Sequence, residues 1–231
     1  MPSQETFNEL LAEIELKKLR KESGLHNSIL SPFANFNKQF PGLERGRYII
    51  LTANSGIGKT KVTKFLFVNN TYNFCKKFNI PLKIYYFALE ETKNNFWLSI
   101  ISTRLFTKFG IDVDIKTLNS IGASILTSEL LSKIKSIEEE VKDMMNYIEV
   151  IDNVSNPFGI YKHVREEALR NGKEEGPEFN TIYKPNNSEE YRLVITDHIS
   201  LLTPEKDPNT GDKMSHWQSI SKFSQDYCLK G

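Results

Sequence analysis

With 231 residues, the chain has room for one large α/β domain or two small ones. Thirty basic residues nearly cancel 29 acidic ones, and a net charge of +1 gives no global attraction to nucleic acid or membrane, so such binding needs a local patch or several assembled copies. Cys75 and Cys228 stand far apart without Cys-x-x-Cys spacing, which argues against a disulfide framework or a zinc site and fits a reducing compartment.

The first residues lack a basic segment followed by an apolar stretch, and no apolar run approaches bilayer length. A soluble cytoplasmic protein is expected (in the host cytoplasm if the source is viral), with no membrane partner. Thr6-Phe7-Asn8-Glu9 reads as a capping box. Phe7, Leu10, Leu11, Ile14, Leu16 and Leu19 then fall mostly three or four apart before Gly24, predicting an amphipathic helix. Residues 27–46, rich in Asn, Pro and Phe, read as a linker or a base-binding edge.

The apolar run Tyr48-Ile49-Ile50-Leu51 is read as the first strand, and Lys61–Phe67 as a helix. Between them lies Ala53-Asn54-Ser55-Gly56-Ile57-Gly58-Lys59-Thr60, which reads as a phosphate-binding loop. Such a loop turns backbone N–H groups around an anion, and the helix N-terminus adds its partial positive charge. Small residues admit phosphate oxygens close to the backbone. Lys59 is placed to reach the β- and γ-phosphates and Thr60 to ligate Mg²⁺. Ala53 stands where such loops usually open with glycine, and is tolerated if φ there is negative.

Residues 81–89 read as a second strand ending in Glu90-Glu91-Thr92, with a long helix to about Phe109. Residues 111–147 are helical in pattern, Tyr147–Asp152 is a third strand, and Pro157–Arg170 a crossover helix. The segment 171–190 turns to Gly, Glu, Pro, Asn and Lys and reads as a mobile surface loop. Tyr191–Asp197 is a fourth strand, 203–213 a polar loop, and a last helix carrying Met214, Trp217, Ile220 and Phe223 runs to the end. Strands alternating with helices predict a mainly parallel sheet covered on both faces.

Ligands in open parallel sheets bind beyond the carboxyl ends of the strands. Asp197 ends the apolar run Leu193-Val194-Ile195 and is the candidate Mg²⁺ ligand. Glu90, at the tip of the second strand, is the candidate catalytic carboxylate beside the attacking water, with Glu91 as competitor. His198 reads as a hydrogen-bonded structural residue, and Lys17, Lys18, Arg20 and Lys21 as a solvated face.

Together these pieces resemble the RecA-like ATPase core of replicative helicases of the DnaB and phage primase-helicase type. The resemblance is carried by Gly42-Leu43-x-x-Gly46, the loop from Ala53 to Thr60, Phe87-Ala88-Leu89-Glu90, and Leu193 to Leu202, where Asp197-His198-Ile199-Ser200 is most like the phage and mitochondrial branch. It implies a RecA-like P-loop NTPase fold over residues 36–231, preceded by a helix and linker over 1–35. It implies ATP and Mg²⁺ as ligands, a homo-hexameric ring with nucleotide between subunits, and single-stranded DNA as partner. The family's helix before the core docks onto the adjacent subunit, so Phe7, Leu10, Leu11 and Ile14 are expected either to supply such a face or to pack on their own domain. Its γ-phosphate sensor, DNA-binding loops and arginine finger follow the last helix seen here, so the core is expected to be incomplete at its C-terminus and active when completed or complemented. A RecA-like recombination or regulatory ATPase, and a nucleotide-binding fragment without turnover, are the alternatives.

Overall fold

The N-terminal helix begins earlier than its sequence cap suggests. In the computed structural model, which describes residues 4–176, 182–207 and 210–225, α1 spans Gln4–Glu22, so Thr6 and Glu9 lie inside the helix. Its end is closed by the Gly24 N–H donating to the Lys21 carbonyl (3.1 Å) and the Leu25 N–H to the Arg20 carbonyl (2.8 Å), which satisfies carbonyls the last turn leaves open. Phe7, Leu10, Leu11, Ile14, Leu16 and Leu19 are all exposed. The helical period is present, but the stripe it makes is uncovered.

The chain divides into two units, residues 1–78 and 79–231. In the first, β1 (Ser28–Ile29) pairs antiparallel with β2 (Leu43–Glu44). Gly42 precedes β2 at φ +99°, and a Cβ there would stand 2.4 Å from the Ile29 carbonyl oxygen. Only glycine permits this approach, which explains half of the Gly42-x-x-x-Gly46 pattern. The run Tyr48–Leu51 does not form the expected strand. It is irregular, with Ile49, Ile50 and Leu51 exposed. An apolar run is compatible with a strand, but a strand exists only through backbone bonds to a neighbour, and the run itself does not specify one. Then α2 (Lys59–Thr63), a π-helical turn (Lys64–Asn69) and α3 (Asn70–Phe78) form one continuous helical run. Side chains accompany the altered register: Asn69 Nδ2 donates to the Lys64 carbonyl (3.1 Å) and Thr71 Oγ1 to that of Leu66 (3.5 Å).

The second unit opens with β3 (Leu82–Ala88) and α4 (Lys93–Phe109). The helical stretch expected over 111–147 is divided into α5 (Ile115–Leu118), α6 (Ser128–Ser136) and α7 (Glu138–Tyr147). Two local caps restart it: Asp114 accepts from the Thr117 N–H (2.8 Å) and Thr127 from that of Leu130 (3.2 Å). After β4 (Ile148–Ile151) and α8 (Pro157–Arg170), the segment read as a mobile loop contains β5 (Gly172–Glu175) and β6 (Ile182–Pro185), an antiparallel hairpin. Polar composition does not forbid such a pair, because an antiparallel ladder tolerates water on its faces. Arg165 pairs with Glu174 (3.0 Å), and the Tyr183 hydroxyl donates to the Ala168 carbonyl (3.0 Å), which ties the hairpin to α8.

Next come β7 (Tyr191–Asp197) and α9 (His216–Lys222). Ser215 and Gln218 cap α9 reciprocally. Met214 therefore precedes the helix, and its expected continuation past residue 225 lies outside the described residues. Strands β3, β4 and β7 form a parallel sheet in the order β4-β3-β7, with Ile84 opposite Ile148 and Leu193, and Ala88 opposite Asp197. Tyr85 and Phe87 face a core of Ile151, Ile160 of α8, Leu202 and Phe223. On the other face Tyr86 meets Phe96 of α4 with ring centroids 4.6 Å apart. Helices thus cover both faces, as the apolar strands require.

Candidate nucleotide site

The phosphate-loop sequence falls in the first unit, and Glu90 and Asp197 fall in the second. Ala53 to Ile57 are exposed, and Gly58, Lys59 and Thr60 are half-buried. Gly56 and Gly58 have φ of +79° and +95°, and Gly58 is the residue that caps α2. Left-handed backbone at both positions is the reason for glycine there. Ala53 does not share it: the non-glycine residues with positive φ are Asn79 and Ser120 among the described residues. Lys59 bends back over the loop, its Nζ donating to the carbonyls of Ala53 (2.9 Å) and Asn54 (3.1 Å). The loop therefore gathers an ammonium, a threonine hydroxyl and the first N–H groups of a helical run, a donor set suited to an oxyanion.

At the carboxyl end of the sheet, β3 and β7 are laced together. The Leu89 N–H donates to the Asp197 carbonyl at 2.8 Å, extending the register in which Ala88 faces Asp197. Asp197 is buried, and its Oδ2 accepts from the Tyr86 hydroxyl at 2.5 Å. Burial, then the Asp197 charge and its hydrogen bond, push the Tyr86 phenol far above its ordinary range, so it stays a donor. Glu90 is exposed just beyond the β3 tip and Glu91 is half-buried. Glu91 does not cap the following helix: Thr92 does, its Oγ1 accepting from the Asn95 N–H at 3.3 Å.

Two participants escaped the sequence reading. Asp152, just past β4, accepts from the Lys93 N–H through Oδ2 at 2.7 Å and so fixes the start of α4, and with it the turn that carries Glu90. Its strand-end position was visible, but its partner is 59 residues away. Tyr86 read only as a strand residue. His198 bonds locally to the Ser200 hydroxyl (2.5 Å to Nδ1), in keeping with a structural role. The described residues contain no group of three or more His, Cys, Asp or Glu side chains able to hold a metal ion.

No protein-family model matches the chain, and no curated protein matches it. Among solved structures it is similar to one described as a DnaB-like replicative helicase and its interactions with primase, with a TM-score of 0.58 and 16% identity. The α/β fold, a parallel three-stranded sheet flanked by helices and preceded by an N-terminal helix, is similar to that of this helicase chain. At this identity the likeness is one of fold. It covers 96% of this chain and 45% of the helicase chain, so the protein spans less than half of that neighbour's length. No described helix is long and apolar enough to cross a membrane.

Proposed function

We propose that the chain is the ATP-binding core of a DnaB-type replicative helicase, an ATPase that drives translocation on single-stranded DNA in a homo-hexameric ring. The observation that carries this is the loop from Ala53 to Thr60: two left-handed glycines, a lysine folded over the loop and a continuous helical run behind it, within a helicase-like fold. With a net charge of +1, DNA affinity would come from a local patch or from patches repeated around assembled copies.

Backbone N–H groups of residues 53–60 bind the phosphates, and Lys59 exchanges its two loop carbonyls for β- and γ-phosphate oxygens. Thr60 of the first unit and Asp197 of the second are the residues that would ligate Mg²⁺, which would offset phosphate charge. Mg²⁺ is usually bound through one or two protein oxygens together with substrate phosphates, which is compatible with one hydroxyl and one carboxylate. Glu90, exposed beyond β3, orients the attacking water and takes its proton.

Titration with a fluorescent ATP analogue in Mg²⁺ tests the reading. Lys59→Ala is expected to weaken binding more than about tenfold, the equivalent of ~1.4 kcal/mol. Unchanged affinity removes the phosphate-loop assignment. An ATPase rate indifferent to single-stranded DNA, measured on the assembled protein, removes the helicase reading while leaving nucleotide binding intact.

A further inference from the structure

Asp197 is the last residue of β7, and Tyr86 lies two residues before its cross-strand partner Ala88. Residues that alternate along a strand share a face, so Tyr86, Ala88 and Asp197 point to the same side of the sheet. The tyrosine ring spans the two-residue offset and brings its hydroxyl to Asp197 Oδ2 at 2.5 Å. Three further features make this a rigid arrangement. Tyr86 is 0% exposed, its ring is held against Phe96, and the Asp197 backbone is fixed by the Leu89 N–H. A carboxylate bound in this way has one oxygen committed and its rotamer set, which is how outer partners orient a metal-binding carboxylate.

We propose that Tyr86 is a positioning residue for the cation, its phenol holding Asp197 in the orientation from which the carboxylate meets Mg²⁺. The inference rests on the magnesium role given to Asp197 above. The competing role is purely structural, since a buried phenol needs a hydrogen-bond partner for its own sake. The two differ in what they do to the cation.

The experiment measures the Mg²⁺ concentration giving half-maximal binding of a fluorescent ATP analogue, with nucleotide affinity in EDTA as reference, for wild type, Tyr86→Phe and Asp197→Asn. Tyr86→Phe keeps the ring and removes only the hydroxyl. It is expected to raise the half-saturating Mg²⁺ about tenfold while the affinity in EDTA is unchanged. Asp197→Asn is expected to abolish the Mg²⁺ dependence. If Asp197→Asn abolishes it and Tyr86→Phe does not shift it, the positioning role is overturned and the magnesium reading survives. If Asp197→Asn leaves the dependence unchanged, the magnesium reading falls and takes the inference with it. A second measurement avoids any folding defect of the variants: 3-fluorotyrosine at position 86 of the otherwise unaltered chain, followed by ¹⁹F NMR. Its resonance is expected to move with Mg²⁺ and nucleotide together but not with nucleotide in EDTA, and an unmoved resonance overturns the proposal.

Discussion

Replacing Glu140 by alanine removes an acidic partner of a buried cation. Arg104 of α4 has a side chain 8% exposed, with Nη1 at 3.2 Å from Glu140 Oε1 of α7 and Nη2 at 3.3 Å from Met144 Sδ. A guanidinium does not lose its proton, so it cannot answer the loss by becoming neutral. At this separation and an effective dielectric near 20 the pair attracts by about 5 kcal/mol. Desolvation of the arginine opposes that gain, and Glu140, 34% exposed, is partly screened by water. Breaking a fully buried pair costs about 3–5 kcal/mol and an exposed one less than about 1. Glu140→Ala should therefore destabilise the second unit by about 2 kcal/mol. Arg104→Met fills the same space without a charge and should cost less, and the double variant should match Arg104→Met alone. Urea unfolding followed by Trp97, buried on the same helix, in a Trp217→Phe background that leaves it the only tryptophan, reads all four proteins. A cost for Glu140→Ala below about 0.5 kcal/mol, or one smaller than that of Arg104→Met, refutes the reasoning.

Glu90→Gln should leave nucleotide affinity nearly intact while lowering turnover by about a hundredfold or more, because its proposed contact is to water. An undiminished rate in assembled protein, with loss in Glu91→Gln instead, reverses the assignment. Burial pushes the Cys75 thiol up to about 12, so at pH 8 only about one molecule in ten thousand carries the thiolate. In a Cys228→Ser background a thiol reagent should react at the rate of unfolding or local opening, and reaction at the rate of a free thiol would show the site is open. The same shift fixes the sign of a pH effect. Cys75 and Tyr85, both raised mainly by burial, keep their protons when folded and release them on unfolding. Their effect on stability is nil well below pH 9 and turns increasingly unfavourable as pH rises above it, and urea midpoints from pH 8 to 10.5 check this.

Sequence determined the features whose cause is local. The strands at 82–88, 148–151 and 191–197 and the helices α4 and α8 follow from apolar runs and caps within reach of a few residues. Gly56 and Gly58 announce backbone that a side chain would strain, and both adopt left-handed φ. Tertiary structure decided what depends on a partner far along the chain. Tyr48–Leu51 has the composition of a strand but no ladder of its own, whereas Gly172–Glu175 and Ile182–Pro185, in a segment of loop composition, pair as antiparallel strands. The stripe on α1 has the helical period yet stays exposed. The Tyr86–Asp197 bond joins positions 111 residues apart, and it exists because the β3–β7 register sets Ala88 opposite Asp197. A shift of one residue would turn the Asp197 side chain to the other face. Periodicity and capping are written into neighbouring residues, whereas register and burial are settled only when distant segments compete for the same partners.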